Sequence, residues 1–447
     1  MLKKDIVKEY ILKEIKQGRI VEGQKIPGCR EIAQTLSINK LTVNKAYKAL
    51  EEEHFLYCVP RGGYYVVKSE FEETPLINVI NFQTVEPDST LIPYHAFTHA
   101  MNRSIEEYKK KLFYYETPMG FSELREVLKE RFAQDGVYTS SEQIIITNGA
   151  QQGIFLALKS IFQASLEGKL LVEAPTYHAV LGMTKALGIN CVAIRRDSAG
   201  IDLNSLETIF RTERIKAFYI IPRFHNPTGY SLLEKDKIKV AELCNRYKVI
   251  IIEDDYLADL GMDKRSFPLH YYDTNQLTIY IRSFSKTFLP GLRLGALVVP
   301  KALCESISLQ KYLSDISTSG LMQGALNIYI KSGMYDKHID KVNACYRRKL
   351  TKAKAILSAA NLGGLTFHVP KRGLFLWITL PVGISADVIA KKLVQKNILV
   401  SPYVTSGEEA QGLRLCISGV HEKDIDVLEI VIKVIKDYLE NASGTLI

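Results

Sequence analysis

Hydroxyl, amine and guanidinium side chains lie close together in the segment Ser283-Phe-Ser-Lys-Thr-Phe-Leu-Pro-Gly-Leu-Arg-Leu-Gly295. Lys286 follows Ser283 by three residues and precedes Arg293 by seven. Hydroxyl groups and an arginine can bind a phosphate group beside the lysine amine. Pyridoxal phosphate requires this combination, because it is held as a Schiff base on a lysine. The segment predicts covalent attachment at Lys286, with Ser283, Ser285 and Arg293 as phosphate ligands.

Groups suited to the cofactor ring occur upstream of this segment. Asp254, in Ile250-Ile-Ile-Glu-Asp-Asp-Tyr256, ends a predicted buried strand, and a carboxylate that faces the ring nitrogen keeps it protonated. Asn226, in His225-Asn-Pro-Thr-Gly229, follows another strand. Asn226 and Tyr256 are predicted to donate to the ring oxygen, which stabilises the phenolate. Tyr177 either stacks on the ring or belongs to the core.

A second phosphate-binding feature is the segment Thr147-Asn-Gly-Ala-Gln-Gln152, which opens a predicted helix after a strand. Backbone N–H groups at a helix N-terminus bind phosphate, so Gly149, Ala150 and Gln151 are predicted cofactor ligands. His178 and His225 are expected in supporting or surface roles. Asp255 is expected to be structural, and Arg223 to lie at the surface or the pocket rim.

Strand-sized apolar runs alternate with helical patterns through the large C-terminal part of the chain. This alternation predicts an α/β domain with a mostly parallel sheet and helices on both faces. A smaller C-terminal α/β portion includes Leu374–Leu380 and Leu413–Ser418. Ligands of such sheets bind at the carboxyl ends of the strands, where most of the candidate residues lie. The predicted strands of the main sheet are Ile144–Thr147, Lys169–Glu173, Ile189–Ile194, Ala217–Ile221, Val249–Glu253, Thr278–Ser283 and Leu294–Val299.

The order of these motifs resembles that of the fold-type I pyridoxal phosphate enzymes of the class I and II aminotransferase group. The motifs are, in chain order, Asn-Pro-Thr-Gly, Asp-Asp-Tyr, Ser-x-x-Lys with Arg293, and Arg414. The resemblance spans about residues 79–440. It implies that Arg414 binds a substrate α-carboxylate through a bidentate pair. It also implies that Tyr115, five residues before Gly120, reaches the cofactor phosphate of a neighbouring subunit in an obligatory dimer.

The N-terminal part shows a different pattern, which predicts helix, helix, turn, helix and hairpin over residues 1–68. This part of the chain resembles the GntR family of winged helix-turn-helix proteins. The matching residues are Gly18, Pro27, Arg30-Glu-Ile-Ala33, Thr42-Val43 and the glycines before Tyr65-Val66. The family usually has Ser-Arg where this chain has Asn39-Lys40; lysine keeps the charge without the bidentate fork. The third helix of the family enters the DNA major groove. The implied DNA contacts are Arg30, Lys40, Thr42, Asn44, Lys45 and Arg61.

The chain divides into parts that differ in charge, and the N-terminal part is the more basic. We predict a DNA-binding domain over 1–68, an acidic linker over 69–78 and an effector domain over 79–447. Residues 1–68 carry 13 Lys and Arg against 8 Asp and Glu, whereas the whole chain of 447 residues has a net charge of +9. The basic surplus is therefore concentrated at the N-terminus, which favours a nucleic-acid partner there.

The compartment follows from the cysteines and from the lengths of the apolar runs. The seven cysteines are scattered, with no C-x-x-C pair, which is typical of buried thiols in a reducing cytoplasm rather than of disulfides or a metal site. The apolar runs are too short to span a membrane. The chain starts without a signal-peptide pattern, so we predict a cytoplasmic protein that binds no metal.

Taken together, the two parts resemble the MocR subfamily of bacterial regulators, whose members use an aminotransferase-like domain to sense amino acids or related amines. The resemblance implies a transcription regulator that binds double-stranded promoter DNA. It implies a domain-swapped, head-to-tail homodimer, and an amino effector that displaces Lys286 to form an external aldimine. Differential affinity of the effector for two conformations would convert binding into a DNA response. The alternative is a working aminotransferase that acts on an amino acid and a keto acid.

Overall fold

The computed structural model describes residues 3–21, 23–53, 55–59, 62–67, 79–163, 167–261, 266–360, 365–403 and 411–443. The chain divides into two compact units, residues 1–77 and 78–447. The predicted linker over 69–78 lies outside the described ranges. No helix within these ranges is long and apolar enough to cross a membrane.

The first unit has the predicted order of three helices followed by a hairpin. Val43, Ala46, Tyr47 and Leu50 lie on the buried face of the third helix, and the opposite face is exposed. Asn39 caps this helix, because its Oδ1 accepts a hydrogen bond from the Leu41 N–H, which satisfies a donor of the first turn. The elements are α1 (Lys3–Lys16), α2 (Cys29–Thr35), α3 (Lys40–Glu52), β1 (Leu56–Val59) and β2 (Gly63–Val66).

The second unit is built on an eight-stranded, mostly parallel sheet, as predicted. Its strands are β4 (Ile144–Thr147), β5 (Lys169–Ala174), β6 (Cys191–Asp197), β7 (Gly200–Ile201), β8 (Ile215–Ile220), β9 (Ile250–Asp254), β10 (Thr278–Ser283) and β11 (Gly295–Val298). The spatial order is β4-β11-β10-β9-β8-β5-β6-β7, in which β11 is antiparallel to both neighbours. The apolar runs of β4, β5, β9 and β11 are almost fully buried, which matches strands covered on both faces.

Helices cover the main sheet and connect it to the C-terminal portion. They are α4 (Tyr94–Tyr108), α5 (Ser122–Gln134), α6 (Ala150–Phe162), α7 (His178–Leu187), α8 (Leu203–Thr212), α9 (Glu234–Tyr247), α10 (Cys304–Asp315), α11 (Gly320–Lys331) and α12 (Met334–Ala359). The ion pair of Arg282 with Asp259 lies buried under them, and Tyr335 of α12 donates to the same carboxylate. Because all three side chains are buried, this network joins β10 to α12 in a region of low dielectric constant.

The C-terminal portion completes the second unit. Its elements are β12 (Thr366–His368), β13 (Phe375–Thr379), α13 (Ala386–Val394), β14 (Ile398–Leu399), β15 (Ser401–Tyr403), β16 (Gly412–Cys416) and α14 (Leu428–Ser443). Four of these strands form a smaller sheet in the order β12-β13-β16-β15. A separate pair is formed by β14 and by β3 (Ile80–Asn81), a strand that directly follows the linker. The residues just after the linker are thus part of the C-terminal portion.

Candidate functional site

A cavity of about 290 Å³ lies at the carboxyl ends of the central strands of the main sheet. All the predicted cofactor and effector residues of the second unit line it, with the exception of Tyr115. The predicted residues in its lining are Gly149, Ala150, Gln151, Tyr177, Asn226, Asp254, Tyr256, Ser283, Ser285, Lys286, Arg293 and Arg414. Loops after β4, β5, β8, β9 and β10 bring most of them together, because parallel strands end at the same edge of a sheet.

The end of the cavity that holds the predicted phosphate ligands is formed by the N-terminus of α6 and by Arg293. Gly149 precedes α6 with φ 81° and ψ 165°, a region that is essentially restricted to glycine. A Cβ atom at this position would lie 3.0 Å from Nη2 of Arg293. Arg293 itself has left-handed dihedral angles, φ 52° and ψ 41°. The backbone conformation at Gly149 and Arg293 therefore places a guanidinium beside the first turn of α6, where backbone N–H groups are free. This is an anion-binding arrangement.

Asp254, the last residue of β9, is buried with one carboxylate oxygen occupied and one free. Its Oδ2 accepts a hydrogen bond of 2.7 Å from the hydroxyl of Tyr219, whereas Oδ1 is buried without a hydrogen-bond partner among the described residues. Burial raises the pKa of Asp254 to about 7, although the hydrogen bond from Tyr219 opposes this shift. A buried carboxylate oxygen without a donor is costly, so a cationic ring N–H in the cavity would stabilise it.

Lys286 lies in the loop after β10 and is half-buried. Burial lowers the pKa of Lys286, and the nearby Arg293 guanidinium lowers it further. A lower pKa increases the fraction of neutral amine at a given pH, which is the nucleophilic form. The structure places this lysine in the lining of the cavity, and the direction of its pKa shift follows only from its burial there.

Asn226 connects the cofactor-binding end of the cavity to Arg414. Its Oδ1 accepts a hydrogen bond of 3.1 Å from Nη1 of Arg414, which leaves the Nδ2 hydrogens as the donors for a ligand in the cavity. The hydroxyl of Tyr256 donates to the Phe224 carbonyl over 2.7 Å. The Asn226 amide therefore keeps its two hydrogens for other acceptors, whereas the hydroxyl hydrogen of Tyr256 is taken by the backbone of the loop after β8.

Arg414, in the middle of β16, is a buried cation surrounded by neutral acceptors. Its Nη2 donates to the Gln83 carbonyl over 2.7 Å and to Ser401 Oγ over 3.0 Å. Its Nη1 also contacts the Tyr403 hydroxyl over 3.3 Å. No carboxylate among the described residues pairs with this guanidinium. A buried charge normally has a counter-ion, so the arrangement suits a ligand that brings one.

The sequence analysis did not identify several residues that line the cavity or contact its lining, because they come from distant segments of the chain. Gln83 and Val85 line the cavity from the stretch just after the linker, and Tyr219 reaches Asp254 from β8. His178, expected in a supporting or surface role, lines the cavity, where its ring contacts the Tyr177 ring edge-on at 5.2 Å. The side chains of Gln83, Val85 and Tyr219 belong to no short motif, so only the pairing of strands could have revealed them.

Three expectations about polar groups near the cavity can be compared with the structure. His225 is buried, with Nε2 3.4 Å from the carboxylate of Glu173, as a supporting role requires. Asp255 is structural, because it pairs with Arg223 and accepts from the Tyr280 hydroxyl over 2.8 Å. The expectation that Arg223 lies at the surface or the rim was wrong. This guanidinium is buried, because Asp255 balances its charge.

Most of the predicted DNA contacts in the first unit are solvent-exposed. Arg30, Lys40, Asn44 and Lys45 are exposed and Thr42 is partly exposed, whereas Arg61 lies outside the described residues. Leu41, at the start of α3, is 70% exposed. The exposed face of α3 thus combines charged, amide and apolar groups, the types that contact phosphates and base edges.

Tyr115 lies at the surface rather than in the cavity. Its side chain is 84% exposed, and the adjacent Phe113 and Tyr114 are also exposed. Three consecutive large, solvent-exposed side chains of this kind mark a surface that another molecule covers in many proteins.

The fold and the cavity define a winged helix-turn-helix protein whose second unit is of the aminotransferase type. Residues 3–66 match the family described as bacterial regulatory proteins, gntR family, and residues 77–430 match aminotransferase class I and II. The chain therefore belongs to the class I and II aminotransferase family, joined to a GntR domain in the arrangement of the MocR subfamily. This fold in general implies dependence on pyridoxal phosphate.

Comparisons with known proteins agree with both assignments. The HTH-type transcriptional regulator YcxD of Bacillus subtilis is 37% identical over 91% of this chain and 93% of its own length. NorG, an HTH-type transcriptional regulator of Staphylococcus aureus, is 26% identical over 90% of this chain and 97% of its own. LysN, an α-aminoadipate aminotransferase of Thermus thermophilus, superimposes with a TM-score of 0.74 at 25% identity, covering 81% of this chain and 93% of its own.

Proposed function

We propose that this protein is a transcription regulator that binds promoter DNA through its winged helix, holds pyridoxal phosphate at Lys286 and responds to an amino acid or a related amine. The observation that carries the proposal is one cavity in which a half-buried lysine, a buried guanidinium and a carboxylate oxygen without a partner among the described residues meet. Because DNA is its partner, we place the protein in the cytoplasm.

The residues of the cavity fit pyridoxal phosphate. Ser283, Ser285, Arg293 and the first turn of α6 would bind the phosphate, and Asp254 Oδ1 would accept from the ring nitrogen. Asn226 would donate to the ring oxygen, and Tyr177 would contact the ring face. When bound, pyridoxal phosphate supplies an aldehyde that reacts with amines and a ring that withdraws electrons. Lys286, with its lowered pKa, is the group that would attach it.

The effector is recognised at Arg414 in this proposal. A guanidinium binds a carboxylate through two parallel hydrogen bonds, and Arg414 has no such partner among the described residues. An amino acid with a free α-carboxylate would provide one while its amine approaches Lys286. Tyr403 and Phe375 pack around the guanidinium, with its carbon 5.7 and 4.8 Å from their ring centroids, and hold it in place.

The assembly we propose is a homodimer, domain-swapped and head-to-tail. The exposed aromatic segment Phe113–Tyr115 supports it, because a second copy of the chain would cover this surface. In such a dimer Tyr115 reaches the cofactor phosphate of the neighbouring subunit. The residues that line the cavity would then come from both subunits.

A working aminotransferase is the second candidate function, and the complete set of cavity residues favours it. Lys286 could transfer protons, and Asp254 could support the electron-withdrawing ring as in an enzyme. The two candidates differ in turnover: a sensor retains the bound amino compound, whereas an enzyme consumes it together with a keto acid.

The deciding experiment is a visible absorbance titration of the cofactor-loaded protein with each of the common L-amino acids, with and without a keto acid. A persistent spectral change from one amino acid, without keto-acid consumption, supports the sensor. Continuous conversion supports the aminotransferase and contradicts a purely regulatory role. Lys286→Ala is the control: we expect it to lose the chromophore of the parent, and a retained chromophore would refute the assignment of Lys286.

A further inference from the structure

Four of the five N–H groups of the Arg414 guanidinium are occupied within the described part of the chain. Nη1 donates to Asn226 and Tyr403, and Nη2 donates to Gln83 and Ser401. Only the Nε–H, which is buried, lacks a partner there. A guanidinium can form two parallel hydrogen bonds with a carboxylate at either of two edges, through Nη1 and Nη2 or through Nε and Nη2. Both edges therefore use Nη2. A carboxylate that binds Arg414 in this way must therefore take one Nη2 hydrogen from a present acceptor.

The position of the cavity decides which acceptor a ligand meets first. Gln83 and Asn226 belong to the cavity lining, and Ser401 and Tyr403 do not. A carboxylate that enters from the cavity meets the side of the guanidinium where the Gln83 carbonyl accepts from Nη2 over 2.7 Å. A full negative charge is a stronger acceptor for a guanidinium than a peptide carbonyl is. A ligand carboxylate is therefore expected to displace the Gln83 carbonyl from Nη2 of Arg414.

Gln83 ends a short segment, residues 80–83, which begins with β3 and is bonded on both sides to the C-terminal portion. The Ile80 and Phe82 N–H groups donate to Asn397 and Leu399, over 2.9 and 2.8 Å, and the Phe82 carbonyl accepts from Cys416 over 2.8 Å. Phe82 is fully buried. Cys416, two residues after Arg414 in β16, thus bonds directly to this segment. The segment also belongs to the first described stretch after the linker from the winged helix.

A turn orients the Gln83 peptide toward Arg414. Oδ1 of Asn81 accepts from the Gln83 N–H over 2.8 Å and from the Thr84 N–H over 3.3 Å. The Gln83 side chain donates to the Val400 carbonyl over 2.7 Å. Asn81 itself neither lines the cavity nor contacts Arg414, so its effect on the guanidinium acts through the backbone of Gln83.

We infer that the segment 80–83 transmits effector binding to the winged helix. The effector carboxylate replaces the Gln83 carbonyl on Arg414, and the freed segment changes the restraint on the polypeptide that leads to the DNA-binding unit. Asn81 is the positioning residue of this device, because it fixes the Gln83 carbonyl in the empty state. The inference rests on the proposed function, since it concerns the regulation of the same cavity.

The test is Asn81→Ala in the full-length, cofactor-loaded protein, with two readouts. The first is visible absorbance titration with the amino acid that gives the largest change in the parent. The second is fluorescence anisotropy of a labelled duplex from upstream of the protein's own gene. We expect the variant to bind the amino acid at least as tightly as the parent. The amino acid should change the DNA affinity of the parent by about 5- to 150-fold, and that of the variant by less than about twofold.

Two further variants separate transmission from a general loss of structure. Asn81→Asp keeps an acceptor oxygen for the two N–H groups and should restore the DNA response. Ser401→Ala removes the other acceptor of Nη2, which lies on a strand that does not lead to the winged helix, and should keep the response. If Asn81→Ala does not fold, Gln83→Ala tests the same segment by removing the bond to Val400.

The outcomes also separate this inference from the proposed function. A parent that binds neither the amino acid nor the duplex refutes the proposed function itself. A parent that responds, together with an Asn81→Ala variant that responds equally, refutes only the transmission through residues 80–83. Loss of the response in Ser401→Ala but not in Asn81→Ala would likewise overturn the inference.

Discussion

Nη1 of Arg414 and Oδ1 of Asn226 lie 3.1 Å apart in a buried hydrogen bond. The proposed carboxylate-binding group is thus in direct contact with the proposed donor to the cofactor ring. The orientation of the Asn226 amide depends on this bond, because the guanidinium can only donate. Binding at one end of the cavity therefore affects the other end through a single side chain.

Asn226→Asp tests this relationship. The new carboxylate would pair with Arg414 and compete with the carboxylate of an amino acid, so we expect amino-acid affinity to fall by more than about tenfold, the loss that corresponds to about 1.4 kcal/mol. Visible absorbance titration measures this affinity. Asn226→Ala removes the amide without adding a charge and should lose less; equal losses in the two variants would argue against competition at Arg414.

Asp254→Asn should weaken the binding of pyridoxal phosphate. The substitution keeps the shape of the side chain but removes the charge opposite the ring nitrogen, and a hydrogen bond to a charged group contributes about 1.5–3 kcal/mol. Equilibrium dialysis of the cofactor measures the loss. Tyr219→Phe removes only the hydrogen bond that lowers the pKa of Asp254, so its effect should be smaller. Unchanged affinity in Asp254→Asn would contradict the assignment of this carboxylate.

Gly149→Ala should disturb the phosphate-binding turn. The backbone at φ 81° and ψ 165° costs a residue with a Cβ about 1–3 kcal/mol, and the new methyl group would press on Arg293. We expect lower cofactor affinity with thermal stability reduced at most moderately. Gly182→Ala is the matched control, because a Cβ there has open space around it. Similar cofactor affinities in the two variants would refute the role of this turn.

The buried network around Asp259 should make stability depend on acid. Burial opposes its ionisation, but the Arg282 and Arg131 guanidinium groups lower the pKa of Asp259 from 3.8 to about 2. The ionised form therefore stabilises the fold above about pH 4, and this contribution, about 2 kcal/mol, is lost as the pH falls through about 2. Urea unfolding at a series of pH values measures the effect.

Asp259→Asn should abolish that acid dependence and lower the free energy of unfolding at neutral pH by about 3 kcal/mol, because it leaves buried arginine charge without its partner. Asp426→Asn is a suitable control, since its pair with Lys352 is largely exposed and contributes less than about 1 kcal/mol. A pH profile for Asp259→Asn that matches the parent would assign the acid sensitivity to other groups.

The exposed face of α3 should contribute both to affinity and to base preference. Lys45→Ala should weaken all duplexes alike and reduce the dependence of binding on salt by about one counterion. Asn44→Ala should instead relax the preference for one base at a cost of about 1–3 kcal/mol. Fluorescence anisotropy at several salt concentrations separates the two effects. Lys13→Ala, an exposed lysine on α1, is the control for charge alone.

The sequence predicted the order of elements in both units closely. Ile144–Thr147 and Thr278–Ser283 are strands at the predicted bounds, whereas Cys191–Asp197 begins two residues later than predicted. Long apolar runs and short polar turns make such elements readable, because the pattern reflects local burial. Strand ends are less well determined, since they depend on the partners with which each strand pairs.

The motifs around Lys286, Asp254 and Asn226 also located the cavity from the sequence, because each lies at the end of a strand and carries its own chemistry. The acceptors around Arg414 required the tertiary structure. Gln83 and Ser401 are separated from Arg414 by 331 and 13 residues, and no local pattern links them. The sequence by itself determined which groups can react; chain folding decided which buried charges lack a counter-ion, because burial and hydrogen-bond partners are properties of the packed chain.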